Sequence, residues 1–216
     1  MKKLVFLLVA TFSLSMVAQE QITEGVVSSK MTMSSSNEQM NEQFAMIGDI
    51  AIVTYFKADK TRSETNNPMS GETVSIIDTQ EKKMLTLLNN PMMGKMYSLT
   101  DIADSPDNSG VKITKGDETK TILGYECQEY NVVMNQEGVD MKMDVYTTEA
   151  IVAANQQTVE FGEDFKGFPL LMNINVNQAG MDMSMTYEVT EVKKETVADE
   201  KFSMTPPEGY ELMEGM

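Results

Sequence analysis

The sequence lacks histidine and tryptophan altogether and contains a single cysteine. Without histidine, the chain cannot build the Ser-His or Cys-His pair that activates most catalytic nucleophiles, and the Gly-x-Ser-x-Gly motif is also missing. Carboxylate pairs are to be expected in so acidic a chain, so their presence does not indicate catalysis. The sequence therefore predicts a protein that is not an enzyme, with no catalytic residue, no metal-binding residue and no cofactor.

The single cysteine, Cys127, excludes a disulfide within the chain. In an oxidising compartment the stability of the protein must then come from its core rather than from cross-links. A lone cysteine with apolar neighbours is typical of a small buried hydrophobic residue, and this is our interpretation of Cys127.

Basic residues are scarce: 17 lysines and arginines are set against 33 aspartates and glutamates, which gives a formal net charge of −16. Such a chain repels nucleic acid, and no cluster of basic residues offers a surface for it. Long apolar runs are also absent, since no stretch approaches the roughly 20 apolar residues of a membrane-spanning helix. We expect neither a nucleic-acid partner nor a helical membrane anchor.

The first residues have the pattern of a secretory signal peptide. Lys2 and Lys3 precede an apolar run over residues 4–10, and small and polar residues follow as far as Ala18. This pattern predicts a signal peptide over residues 1–19, with cleavage after Ala18 or Gln19. No cysteine lies near this site, which argues against lipid attachment there. We expect a periplasmic or secreted protein in which residues 20–216 form a single β-rich domain.

Two segments, 130–146 and 172–187, alternate apolar and polar residues on both sides of a glycine-containing turn. A period of two places successive side chains on opposite faces of a strand, so each segment predicts a β-hairpin with one apolar face. The turns are expected at Glu137-Gly138 and Ala179-Gly180. The predicted cross-strand pairs are Met134 with Met141, Val132 with Met143, Tyr130 with Val145, Val176 with Met183, Ile174 with Met185, and Met172 with Tyr187.

The other elements follow from shorter patterns. A first strand is predicted within residues 20–34, and a helix begins near Ser35, presents Met40, Phe44 and Ile47 as an apolar stripe, and stops at Gly48. A second short helix is predicted over residues 149–155, followed by an irregular loop over 156–168. Further strands are predicted at 50–57, 61–64, 72–78, 83–88, 95–99, 111–115 and 120–123.

Three segments resemble known exported families: Gly124-Tyr125-Glu126-Cys127, Tyr146-Thr147-Thr148-Glu149 and Gly167-Phe168-Pro169. Their order is similar to that in the family called domain of unknown function 4412 and, more distantly, in the GLPGLI family. The ending, residues 199–210, resembles that of lipoprotein carriers of the LolA/LolB type. The resemblance implies a mainly β fold: a single curved antiparallel sheet, an unclosed half-barrel, with one or two short helices on its concave face.

Methionine is unusually frequent, with 21 residues in the chain of 216, and several occur in Met-x-Met spacing. On a strand this spacing places them on one face. Three interpretations remain open: ordinary core packing, the lining of a cavity for an apolar ligand, and a thioether site for Cu(I). The predicted lining residues are Met31, Met33, Tyr130, Val132, Met134, Met141, Met143, Ile174, Val176, Met183, Met185 and Tyr187.

Together these patterns lead to a functional expectation. We expect non-enzymatic binding of a hydrophobic ligand, a lipid or a lipoprotein acyl chain, in a half-barrel cavity of a monomeric periplasmic protein. The alternatives are a methionine-rich Cu(I)-binding protein and a structural module that contacts another envelope protein without a small ligand.

Overall fold

The structure is a computed structural model that describes residues 20–68, 70–102, 110–136, 139–178 and 181–213. The predicted signal peptide lies outside these ranges, as do the predicted turn residues 137–138 and 179–180 and most of the loop before Val111. Of the helices within these ranges, none is long and apolar enough to cross a membrane.

The described residues form twelve strands and two α-helices. The strands are β1 (Glu24–Ser35), β2 (Ile50–Lys57), β3 (Lys60–Asn67), β4 (Gly71–Asp78), β5 (Lys83–Asn90), β6 (Gly94–Asp101), β7 (Val111–Ile122), β8 (Tyr125–Gln136), β9 (Val139–Thr148), β10 (Phe168–Gln178), β11 (Met181–Lys193) and β12 (Glu211–Leu212). The helices are α1 (Glu38–Ile47) and α2 (Gln156–Phe161), and short 3-10 turns occupy Gly162–Asp164 and Asp199–Phe202.

All twelve strands belong to one open sheet, in the order β12-β6-β5-β4-β3-β2-β1-β11-β10-β9-β8-β7. Strands β1 to β11 run antiparallel to their neighbours, and only the two-residue β12 pairs parallel, with β6. The sheet is thus two meanders, β2–β6 and β7–β11, joined through β1. The prediction of a mainly β protein with a single unclosed sheet and one or two short helices is confirmed.

The two hairpins pair in the predicted register. Strand β8 places Met134, Val132 and Tyr130 opposite Met141, Met143 and Val145 of β9. Strand β10 places Val176, Ile174 and Met172 opposite Met183, Met185 and Tyr187 of β11. A slip of one residue would turn every apolar side chain to the other face, so the alternation together with the expected turn positions was enough to predict the register.

The prediction of a helix over residues 149–155 is wrong. Ile151 instead forms a parallel bridge with Ile22, whose N–H donates to the Ala150 carbonyl at 2.7 Å and whose carbonyl accepts from Val152 at 2.9 Å. These bonds hold residues 150–152 extended. Helix α2 begins only after Asn155, whose side chain accepts a hydrogen bond from the Thr158 N–H at 2.9 Å.

Two other boundaries differ from the sequence prediction. Helix α1 is capped by Asn37, whose side chain accepts from the N–H groups of Gln39 and Met40, rather than by the preceding serines. The strands predicted at 111–115 and 120–123 form the single strand β7, with an irregularity in its pairing between Lys115 and Thr119.

The main core lies on one face of the sheet, called here the inner face, which carries Val27, Val132 and Val145. The segment that connects β9 to β10 covers this face with Phe161 and Phe165, and the Tyr130 and Phe165 rings lie 5.2 Å apart. Helix α2 thus packs on the inner face. Helix α1 contacts mainly β1 and buries no residue completely.

A second apolar cluster lies on the opposite, outer face. Val74 and Ile76 of β4 pack there with Leu85 and Leu87 of β5, under Met204 and Tyr210 of the C-terminal segment. Electrostatic contacts attach this C-terminal segment to β2. The Lys201 ammonium lies 4.0 Å from the centre of the Tyr55 ring, and a 2.7 Å ion pair joins Lys57 to Asp199.

Cys127 is completely buried in the main core. Burial raises the pKa of its thiol to about 11, and the sulfur lies 3.5 Å from the Tyr125 carbonyl. We expect the native thiol to react with a disulfide reagent at pH 8 at least roughly a hundredfold more slowly than a free cysteine, because both access and the thiolate fraction are reduced. The reaction of the guanidinium-unfolded chain is the control, and equal rates would contradict the buried position.

Asp78 ends strand β4 with a carboxylate that is only 1% exposed. One oxygen accepts from the backbone N–H groups of Gln80 and Glu81, and the Lys60 ammonium lies 2.7 Å from the other. Burial raises the pKa of this carboxyl, but the hydrogen bonds from Lys60 and from the two backbone N–H groups outweigh burial and hold the pKa below its usual value. Asp78 therefore stabilises the fold in its ionised form.

Replacing Asp78 with Asn removes the ion pair, and we expect the free energy of unfolding to fall by about 1–3 kcal/mol at pH 7. Because the folded pKa lies below the unfolded pKa of about 3.9, the contribution is present above that pH and disappears as the pH falls through the folded value. Urea unfolding of both proteins at pH 7 and pH 3 measures this. If the native protein and the Asp78→Asn variant differ in unfolding free energy by the same amount at pH 7 and pH 3, the ionised carboxylate of Asp78 is not the stabilising form.

Candidate functional site

A cleft of about 290 Å³ opens on the inner face, where the cover over the main core ends. Strands β1 to β4 on one side and β10 and β11 on the other form its walls, and residues 154–157 at the start of α2 form its rim. The volume is at the lower end of the roughly 300–1,000 Å³ that small-molecule sites occupy.

Hydrogen bonds fix the rim of the cleft. The Thr61 hydroxyl donates to the Ala154 carbonyl at 2.6 Å, which ties the rim to β3. The buried Asn155 caps α2 and also donates its amide to the Gly167 carbonyl at 3.3 Å. The rim is therefore tied both to the sheet and to the segment that leads into β10.

One wall of the cleft is apolar. The register places Met31, Tyr187 and Met172 side by side across β1, β11 and β10, and Ile52 and Phe168 complete the wall. Met31 and Ile52 are half-buried, so part of their apolar surface faces the open cleft. Burial raises the pKa of the Tyr187 hydroxyl, and a hydrogen bond with Ser29 offsets only part of this, so Tyr187 is a neutral phenol at pH 7.

The other wall consists of hydroxyl groups. Thr54, Ser63, Thr65, Thr73 and Ser75 line it from β2, β3 and β4. The Thr54 and Ser63 oxygens lie 3.0 Å apart and form a hydrogen bond. Among the described residues that line the cleft, none is charged, so the site combines an apolar wall with an uncharged polar wall.

The structure separates the predicted lining residues. Met31 and Tyr187 line the cleft. Tyr130, Val132 and Met143 are instead buried in the main core beneath the β9–β10 connection, where they form packed interior.

The remaining predicted residues lie toward the hairpin ends of the inner face. Met134, Met141 and Ile174 are half-buried and pack against the main core, while Met33, Val176, Met183 and Met185 are half-buried without belonging to it. An open groove of about 640 Å³ at the hairpin ends is bordered by Met134, Met141, Val176 and Met183. The predicted set therefore shares one face of the sheet but is not one site.

The hydroxyl wall was missed in the sequence analysis. The spacing Thr61-x-Ser63-x-Thr65, followed by Thr73-x-Ser75, has the period of a strand, but hydrophobic alternation identifies only apolar residues as inward-facing. In β3 both parities are polar, so hydrophobic alternation alone does not indicate which one faces inward.

Acidic side chains do not converge here. Within the described ranges, no group of three or more acidic or cysteine side chains has the arrangement of a metal site. Thioether sulfurs form a separate class of ligand, and their placement is considered below.

No family model and no curated protein matches the chain. Among solved structures, the chain is similar to PNGF-II, with a TM-score of 0.46 and 16% identity over 87% of this chain, which spans 31% of that one. It is also similar to the lipoprotein LppX of Mycobacterium tuberculosis, with a TM-score of 0.34 and 8% identity over 81% of this chain and 89% of that one. These likenesses are too distant to assign a function, and the resemblance to domain of unknown function 4412 rests on the sequence motifs alone.

Proposed function

We propose that the protein binds the apolar part of a hydrophobic ligand in the inner cleft, without catalysing a reaction. The observation that supports this most directly is the half-buried apolar wall of Met31 and Ile52 beside an open, uncharged cleft. A ligand that covered these side chains would remove apolar surface from water, which contributes roughly 25 cal/mol for each Å² buried.

The composition of the wall suits a flexible ligand. Methionine is unbranched and polarizable, so Met31 and Met172 can adjust their packing to apolar groups of different shapes. A lipid or an acyl chain is the ligand class that we propose, because it needs an apolar wall and tolerates an imprecise fit. The signal-peptide pattern of the first residues supports a periplasmic or secreted location, and we propose that the protein acts there as a monomer that exchanges ligand with an envelope partner.

A Cu(I) site is a second candidate. Met33 of β1 lies directly opposite Met185 of β11, and Met183 follows on the same face of β11. Directly opposed residues have Cβ atoms about 4.5–5.5 Å apart, so thioethers from two strands can approach one ion there. Thioether sulfur is a soft ligand that favours Cu(I), and this cluster lies outside the cleft.

The ligand-binding proposal is tested with a charge placed in the apolar wall. We expect Met31→Asp to weaken binding of the apolar fluorophore N-phenylnaphthylamine at least about tenfold, because the carboxylate would lose hydration beside the bound ring without gaining a partner. Fluorescence titration gives the Kd, and thermal unfolding checks that each variant folds.

Met33→Asp is the matched control, since Met33 lies on the same strand and face but outside the cleft. Its Kd should stay within about twofold of the native value, because Met33 does not contact a ligand in the cleft. A tenfold change would require the loss of roughly 1.4 kcal/mol of binding free energy. Equal weakening by both changes would indicate that the ligand binds across the wider methionine-rich inner face and not in the cleft. No weakening by Met31→Asp would contradict the proposal.

The copper candidate is tested by replacing Met33, Met183 and Met185 together with leucine, which keeps the side-chain volume but removes the sulfurs. If the cluster holds Cu(I), competition against a chromophoric Cu(I) chelator should show the affinity lost in the triple variant and retained in Met31→Leu. Native mass spectrometry of protein purified without detergent separates the two candidates. A lipid-sized adduct favours the cleft, and a copper-mass increment favours the sulfur cluster.

A further inference from the structure

A row of hydroxyl groups crosses the inner face from the cleft toward β6. At one level of the sheet, five side chains from five neighbouring strands are paired in register: Thr54, Ser63, Ser75, Thr86 and Ser98. Neighbouring strands are about 4.8 Å apart, so the row extends roughly 19 Å outward from the cleft. We call this set the hydroxyl row.

The hydroxyls of the cleft wall differ in what they contact. Thr61 is bonded to the rim, and Thr54 is paired with Ser63. The backbones of the half-buried Thr73 and Ser75 pair with β3 and β5, but their side-chain hydroxyls make no hydrogen bond within the described part of the chain. Each of these two hydroxyls can therefore donate to and accept from a bound molecule.

The inner faces of β2 to β6 bear no charged side chain among the described residues. Inward positions in this half of the sheet carry hydroxyl-bearing, apolar, glycine or asparagine residues, all uncharged, whereas the charged residues point outward, as in the 2.6 Å pair between Arg62 and Glu64. An exposed sheet face usually presents lysine and glutamate. The β-propensity of threonine explains its own presence on these strands, but it does not explain why charge is missing from five strands at once.

This arrangement discriminates between the polar groups of possible ligands. An ionised carboxylate or phosphate in the cleft would lose hydration without meeting a countercharge, which is costly. An uncharged head with hydroxyl or ester groups would exchange its hydrogen bonds with water for bonds to the hydroxyl row at little cost. The negative charge of the whole chain adds to the discrimination against anions.

Resting on the proposed function, we infer that the ligand is an uncharged amphiphile. Its alkyl or acyl chain lies against the wall of Met31, Ile52 and Met172, and its hydroxyl-bearing or ester-bearing head lies along the hydroxyl row. Acylglycerols and neutral glycolipids share this chemistry, and free fatty acids and phospholipids do not.

The experiment uses three amphiphiles with twelve-carbon chains and different heads: uncharged dodecylglycerol, anionic dodecanoate, whose twelfth carbon is the carboxylate carbon, and cationic dodecyltrimethylammonium. Each amphiphile is titrated below its micelle-forming concentration, and its affinity is measured from the displacement of N-phenylnaphthylamine from the protein. We expect dodecylglycerol to bind at least about tenfold more tightly than either ion, since placing an unpaired charge in the cleft costs more than 1.4 kcal/mol, the equivalent of a factor of ten.

The cleft hydroxyls are tested separately by combining Ser75→Ala, in the hydroxyl row, with Thr73→Val, in the cleft wall beside it, which removes two hydroxyls and leaves the shape of the cleft nearly unchanged. We expect the affinity for dodecylglycerol to fall about five- to thirtyfold while dodecanoate and the fluorophore bind as before. Thr119→Val is the control, because Thr119 is an exposed hydroxyl residue on β7, outside the cleft.

The outcomes separate this inference from the proposed function. Dodecanoate binding as tightly as dodecylglycerol, or an unchanged dodecylglycerol affinity in the double variant, would overturn the inference and leave hydrophobic binding intact. Failure of all three amphiphiles and of the fluorophore to bind would overturn the proposed function itself.

Discussion

A single sheet has two faces to protect from water, and this chain protects a different face in each half. Strands β1 and β8 to β11 turn their apolar residues inward, where the β9–β10 connection covers them with Phe161 and Phe165. Strands β4 and β5 turn theirs outward, under the C-terminal segment. The change of buried face leaves part of the inner surface of β3–β5 without an apolar cover, because alternation along a strand favours one apolar face in each half. The cleft lies where these two arrangements meet.

This geometry gives the cleft its mixed character. Its apolar wall is the margin of the main core, and its hydroxyl wall is the uncovered reverse side of the second cluster. Threonine and serine are compatible with both strand geometry and partial exposure, so they can line such a surface without the large apolar patch that favours aggregation. The hydrogen bonds of Thr61 and Asn155 fix the rim beside this opening.

The fold was more predictable than the site. Period-two alternation and the expected two-residue turns together predicted the registers of both hairpins, because a slip of one residue would have exposed Val132 and Met143 to solvent. Periodicity within single strands does not specify which strands are neighbours in the sheet, so whether Val74 and Val132 share a face could not be predicted from the sequence. For that reason the twelve predicted lining residues were chosen by parity alone, and Tyr130, Val132 and Met143 proved to be interior packing. The error at residues 149–155 has a different origin, since pairing with the distant Ile22 outweighed a weak local helix pattern.

The pairing of β1 with β11 sets the order in which the sheet can be completed. Residues near the beginning of the described chain, such as Val27, are bonded to residues near its end, such as Val192, while the other β-pairs of both meanders join strands that follow one another. Each meander can form from local contacts, but the junction between them requires closure of a loop of about 160 residues, which carries a large entropic cost and slows folding. The cleft spans that junction, with Met31 on one side and Tyr187 on the other. A binding-competent cleft therefore requires the β1–β11 pairing, and a chain with both meanders but without that pairing would have no place for a ligand.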